Sequence, residues 1–243
     1  MIVSLAEIAK ALKTKQKYWI VLTGDSITSC EWVHPNWREI TEYVIKKEVT
    51  KFMEGDWAAA DWGIRCFNFA YDGATTRDIL ARNPDLLGVK PDLVMSLMGG
   101  NDRLFDIPVP EHITNIETIV KCLTDSGAKV VWCTSTPSLP GWKKNDEYIP
   151  YARATMKIKG TSGAQFVDLF SLYRVFPLKR IFTFISEDNP VAGVKAGDLD
   201  PDHPNQLGNA YIAQVILKEV FSIDFDAELY MKSTLSGEKY PRY

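Results

Sequence analysis

A serine stands in GDSIT, residues 24 to 28, between the apolar run YWIVLT and a stretch that reads as helix. Two roles suit it. Asp and Ser commonly close a strand-to-helix turn and cap the first helical N–H groups, whereas a serine on the same turn becomes a nucleophile if a base and charge-stabilising donors stand beside it. The base has to come from three histidines, His34, His112 and His203, because no lysine occupies a comparable turn. His203 is the best placed. It lies in DPDHPN ahead of an amphipathic segment, with Asp200 three residues upstream; on a tight turn that spacing brings a carboxylate to Nδ1 and leaves Nε2 facing a serine. Asn101 in GGND supplies a side-chain amide, and Gly73 in YDGATT supplies a backbone N–H that no Cβ obstructs. With the N–H of Ser26 they would form a three-donor oxyanion hole. Nucleophile, base, orienting carboxylate and donors are what acyl transfer requires.

Other readings use some of the same residues. Asp198, Asp200 and Asp202 beside His203 could ligate a metal, and with Asp25 and Asn101 they would make a metal-dependent phosphoesterase. A dinuclear site, however, asks for more histidines than three scattered ones. A non-catalytic carbohydrate-binding domain is the remaining alternative. Asp25 and Asp102 read as braces of their turns, and His112 at a helix start has no assigned role. Asp25, Trp32, His34 and Trp142 are the candidates for a substrate pocket, since indole faces suit sugar rings and acyl chains alike. No GxSxG elbow occurs, because GTSGA at 160 to 164 lacks the final glycine.

The elements that must position these groups are short β-rich runs alternating with helical ones, the pattern of a parallel sheet covered on both faces. Strands are expected at 18 to 23, 64 to 70, 92 to 98, 128 to 135 and 164 to 170, each short, apolar and rich in β-branched or aromatic residues, as strands buried on both faces should be. Helical period appears over 36 to 53, 110 to 126 and 205 to 221, and a shorter helix is expected from Thr75 to the Asn83-Pro84 pair. Residues 138 to 150 and 186 to 205 read as long loops. Sites in such sheets lie past the carboxyl ends of the strands. That is where Ser26, Gly73 and Asn101 fall, each directly after its own apolar run.

GDSIT with Ser26, NFAYDGATT with Gly73, GGND with Asn101 and DPDH with Asp200 and His203 come in the order of four blocks that resemble the SGNH hydrolase superfamily, the GDSL-like esterases and lipases. The resemblance spans residues 18 to 221. It implies a three-layer α/β/α, flavodoxin-like fold on a five-stranded, mostly parallel sheet. It also implies a serine esterase that needs no cofactor or metal, with Ser26, His203 and Asp200 as catalytic triad and Ser26, Gly73 and Asn101 as oxyanion hole. Ile27 departs from the family's leucine, and Ala70 and Asp72 depart from its glycine and small residue in the second block. The expected substrates are short acyl esters, O-acetyl groups on small molecules or oligosaccharides among them. A lysophospholipase or thioesterase on the same triad is the alternative.

The 243 residues are read as one domain over 1 to 221, opening with a helix in 1 to 17, and a C-terminal tail over 222 to 243 without assigned role. With 28 basic and 31 acidic residues the net charge is −3, which offers no basic footprint for nucleic acid. Cys30, Cys66, Cys122 and Cys133 form neither a CxxC pair nor a zinc-spaced cluster. No signal-peptide core and no span of transmembrane length appears, so the expectation is a cytoplasmic protein without membrane or nucleic-acid partners. Oligomeric state is left open.

Overall fold

In the computed structural model, which describes residues 2–29, 32–158, 163–187 and 193–243, the five apolar runs form β1 (Tyr18–Gly24), β2 (Ile64–Asn68), β3 (Leu93–Met98), β4 (Lys129–Thr134) and β5 (Ala164–Val167). All pair in parallel, in the order β2-β1-β3-β4-β5. Successive side chains point to opposite faces: Ile20, Leu22, Met95 and Val131 enter one apolar cluster, and Val21, Val94, Val130 and Trp132 enter the other. Helices Leu5–Lys15, Trp37–Lys51, Gln206–Phe221 and Ala227–Leu235 cover the first face. Thr76–Ala81, Asn83–Gly88 and Val109–Asp125 cover the second. The result is the three-layer, flavodoxin-like α/β/α arrangement that the sequence predicts.

The strand order places the site. From β1 the chain crosses to β2 on one side and returns to β3 on the other, which opens a crevice at the carboxyl ends of β1 and β3. Gly24 pairs with Leu97 there. A Cβ on Gly24 would sit 2.2 Å from the Leu97 carbonyl oxygen, and its φ is +151°, so only glycine lets the two strands close up beneath Ser26.

Four departures from the sequence reading have identifiable causes, three of them local. β2 stops at Asn68, short of residue 70, because the Asn68 side chain accepts from the Ala70 amide at 3.0 Å and donates to the Ser29 carbonyl at 2.9 Å, turning the chain. β5 stops at Val167 because Asp168 caps helix Leu169–Leu172 through the Ser171 amide at 3.0 Å. After the expected stop at Asn83-Pro84 a second helix, Asn83–Gly88, begins at once, with its proline in the first turn where an N–H is not needed. The predicted loop 138 to 150 is in fact half helix: Lys144–Thr155 is helical with Pro150 inside it. Proline removes one helical hydrogen bond, but Tyr148 and Ala152 pack against Phe170 and the Tyr148 hydroxyl accepts from the Ser135 amide at 2.9 Å, so tertiary contacts outweigh the local signal. The tail also gains structure. Asp226 caps helix Ala227–Leu235, whose Ala227 and Tyr230 join Ile223 and Phe225 in the first cluster. Among the described residues no helix is long and apolar enough to cross a membrane.

Candidate active site

Ser26 opens the short helix Ser26–Ser29 directly past β1, and the Asp25 carbonyl accepts from the amides of Thr28 and Ser29 at 2.9 and 3.0 Å. The turn therefore caps the helix through the backbone of Asp25, which leaves the Ser26 hydroxyl free for another partner. That partner is His203, whose Nε2 lies 2.8 Å from Ser26 Oγ although the two are 177 residues apart. On the far side of the ring, Nδ1 is 2.7 Å from Asp200 Oδ2.

The three-residue spacing of Asp200 and His203 works through both carboxylate oxygens. Oδ1 accepts from the amides of Asp202 and His203 at 2.8 and 3.2 Å, which curls the chain into a turn and swings the imidazole back onto Oδ2. The Leu139 amide donates to the Pro201 carbonyl at 2.8 Å and anchors this turn to the segment after β4. Burial opposes the charge on Asp200, but the hydrogen bond and charge of His203, with the two amides, outweigh it and hold the carboxyl below its ordinary range.

Gly73 and Asn101 line the same cavity as Ser26 and His203. Gly73 has φ of +71° with open space where a Cβ would project. Its amide and that of Ser26 donate to no group among the described residues. Asn101 Nδ2 donates to the Ala74 carbonyl at 3.0 Å; the amide carries a second hydrogen for another acceptor. The cavity encloses about 260 Å³. Its floor and walls beyond Ser26 come from Gly100, Ser135, Thr136, Tyr148 and Phe170, and its rim from Trp32 and the exposed Phe105. Lys144, itself buried, pairs across the wall with Asp202, which also accepts from Ser138 Oγ at 2.6 Å.

The sequence pattern of the GDSL-like Lipase/Acylhydrolase family matches residues 22–211, from the end of β1 into the last large helix of the sheet. The chain belongs to that family. It is accordingly an ester hydrolase by class. Solved structures with the same fold include TesA, at 21% identity and a TM-score of 0.57, covering 82% of this chain and 95% of that one. A lipase/acylhydrolase from Enterococcus faecalis is 23% identical with a TM-score of 0.59, covering 84% and 95%. A catalytic mutant of an acetylxylan esterase from Geobacillus stearothermophilus is 19% identical with a TM-score of 0.59, covering 86% and 97%. At these identities the likeness is one of fold. No curated protein matches the sequence.

The pocket candidates of this GDSL-like hydrolase divide. Trp32 and Asp25 line the cavity. His34 does not: its imidazole is 78% exposed and lies 2.9 Å from Glu39, in the first turn of helix Trp37–Lys51. Trp142 is also displaced, lying behind Lys144, whose Nζ is 5.8 Å from its ring centre. Asp202, one of the metal-ligand candidates, turns to Lys144. Among the described residues no three His, Cys, Asp or Glu side chains gather as a ligand set. Cys66, Cys122 and Cys133 are free thiols, and Cys30 lies outside the described residues.

One cluster escaped the sequence reading. His112 is buried, with Nδ1 2.7 Å from Asp102 and Nε2 2.9 Å from Thr155 Oγ1. The other oxygen of Asp102 accepts from the Thr76 amide at 2.8 Å. Asp102 follows Asn101, and Thr76 lies three residues past Gly73, so this network ties the segments that carry Gly73 and Asn101 together. Asp102 is the turn brace that the sequence predicts, but nothing local marks His112, ten residues away, as its partner.

Asp25 carries a measurable consequence. Burial pushes its carboxyl up to about 7 from 3.8, against the help of the Ile27 amide, which donates to Oδ1 at 3.2 Å. The folded chain thus holds a proton that the unfolded chain releases near 3.8, and folding stability contributed here falls as pH rises from about 4 through 7. Asp25→Asn keeps an acceptor for Ile27 and cannot ionise. It should match the wild type in urea unfolding at pH 4 and exceed it at pH 8 by about 2 to 4 kcal/mol.

Proposed function

We propose that the chain is a metal-independent serine esterase that removes short acyl groups, O-acetyl groups on carbohydrates or related small molecules in particular. The observation that carries this reading is the unbroken line from Ser26 Oγ through both nitrogens of His203 to Asp200, at 2.8 and 2.7 Å. In this mechanism His203 Nε2 takes the Ser26 proton as Oγ attacks the acyl carbon. The negative charge on the carbonyl oxygen is met by the amides of Ser26 and Gly73 and by Asn101 Nδ2. His203 then protonates the leaving alcohol, giving an acyl-Ser26 intermediate. Water, deprotonated by the same imidazole, attacks that ester and restores the serine. Asp200 holds the Nδ1 proton and stabilises the imidazolium in both halves.

Three observations favour a short acyl group on a polar alcohol. The cavity, about 260 Å³, falls below the range of about 300–1,000 Å³ usual for larger organic ligands. Beside apolar side chains such as Ile27, Leu104 and Phe105, its wall carries the polar groups of Ser135, Thr136, Ser138 and the Lys144–Asp202 pair. Acetylxylan esterases are also among the proteins that share the fold. The test is a series of p-nitrophenyl esters from acetyl to octanoyl, run on the purified chain. Turnover should be highest for acetyl and fall by about tenfold or more by octanoyl. Preference for octanoyl would remove the short-acyl reading and leave the thioesterase or lysophospholipase alternative on the same residues.

A further inference from the structure

Two side chains beside the proposed base have no part in the mechanism above. The Trp32 indole lies flat against the His203 imidazole, with ring centres 3.8 Å apart and planes 3° from parallel. Its Nε1–H donates to Asp72 Oδ2 at 2.7 Å, and Asp72 Oδ1 accepts from Ser29 Oγ at 2.7 Å. The segment that carries Trp32 is tied down on its far side as well. Asn36 Nδ2 donates to the Ile27 carbonyl at 2.9 Å, and Arg38 Nε to the Thr28 carbonyl at 2.8 Å.

Hydrogen bonds at Nδ1 and Nε2 fix the line through the two nitrogens of His203. They resist rotation of the ring about that line only weakly, because hydrogen-bond energy falls slowly over small departures from alignment. An aromatic face at stacking distance blocks that rotation on one side. The same face is the negative pole of the indole quadrupole, so it attracts an imidazolium more than a neutral imidazole. A carboxylate at the indole N–H adds electron density to that face.

We propose that Trp32, held by Asp72, is a positioning residue for His203: it keeps the imidazole in plane between Asp200 and Ser26 and favours the imidazolium that forms as the Ser26 proton is taken. The inference rests on the reading of Ser26 and His203 as nucleophile and base. The contact is stronger in the charged state than in the resting one, so it lowers the barrier rather than only tightening binding. It also gives Asp72, a departure from the family's second block, a part in orienting the base rather than in the oxyanion hole. The Trp32 face turned to His203 is not free to stack on a sugar.

The test measures kcat and KM for p-nitrophenyl acetate, and the rate of fluorophosphonate labelling with the modified residue mapped, on the full chain. Trp32→Ala and Asp72→Ala should lower kcat and labelling rate together, by about three- to thirty-fold, the worth of one cation–π contact. KM should stay within about twofold. Trp32→Phe keeps a ring and Asp72→Asn keeps an acceptor oxygen, so each should recover much of the loss. The double alanine variant should be no slower than Trp32→Ala alone, because the carboxylate acts through the indole. Unchanged kcat and labelling in Trp32→Ala overturns the inference, and so does a rise in KM alone, which would make the indole a substrate contact. If Trp32→Ala does not fold, Asp72→Ala, at an exposed position, decides by the same comparison. Labelling of the wild-type chain at a residue other than Ser26 overturns the nucleophile reading instead, and it is seen before any substitution is made.

Discussion

Ser26→Ala lowers kcat for acetyl esters by about 10⁴- to 10⁶-fold with little change in stability. The hydroxyl is removed from a position where its side chain bonds to His203 at 2.8 Å, and the Cβ that packs at the helix start is kept. What remains is the contribution of the oxyanion donors and of binding, which water can use only poorly. His203→Ala should fall to a similar level, and the double variant should be no slower than either, because nucleophile and base act as one unit. The measurement is initial-rate kinetics on p-nitrophenyl acetate, with circular dichroism to show that each variant is folded. A folded Ser26→Ala that hydrolyses the ester at the wild-type rate would end the assignment. A second serine taking over would appear as residual labelling by a fluorophosphonate.

Asn101→Ala lowers kcat by about 10²- to 10³-fold while KM changes little. The side-chain amide has two hydrogens, and one is spent on the Ala74 carbonyl at 3.0 Å. That bond fixes the amide at the cavity wall, so in the proposed mechanism the second hydrogen is available to the oxyanion without reorganisation during reaction. The donor matters most when the carbonyl oxygen carries charge, which is why the loss belongs in kcat. Loss of the Ala74 bond itself should cost only about 1 kcal/mol of stability, and urea unfolding separates the two effects. A rise in KM with kcat unchanged would place Asn101 in ground-state binding and leave the oxyanion to the two backbone amides.

The two variants probe different kinds of information. Ser26, Gly73, Asn101 and His203 were visible as candidates because each follows an apolar run or a Pro-rich turn, and turn chemistry is local. The strands were visible for a similar reason. A segment buried on both faces has to be largely apolar, and β1, β3 and β4, buried along nearly their whole length, are. Packing overrides local signals where the two conflict. Pro150 and the charges around it argued against a helix that Tyr148 and Phe170 nonetheless hold in place. His34 follows the Ser26 turn closely in sequence, yet its imidazole lies against Glu39 and is mostly exposed.

The sequence by itself determined the class of fold, the order of the four blocks and the residue types available for acyl transfer, because hydrophobic periodicity and turn composition act over a few neighbouring residues. Only the tertiary structure decided which of those residues meet. The 2-1-3-4-5 strand order brings Ser26 and Asn101 to one crevice, and the turn at Asp200 delivers His203 to a serine 177 residues away. The partnerships of Trp32 with His203, of Asp72 with Trp32 and of Asp102 with His112 likewise depend on how separate elements pack. No short window of sequence contains both sides of such a contact, so its geometry exists only once the sheet and its helices have closed on each other.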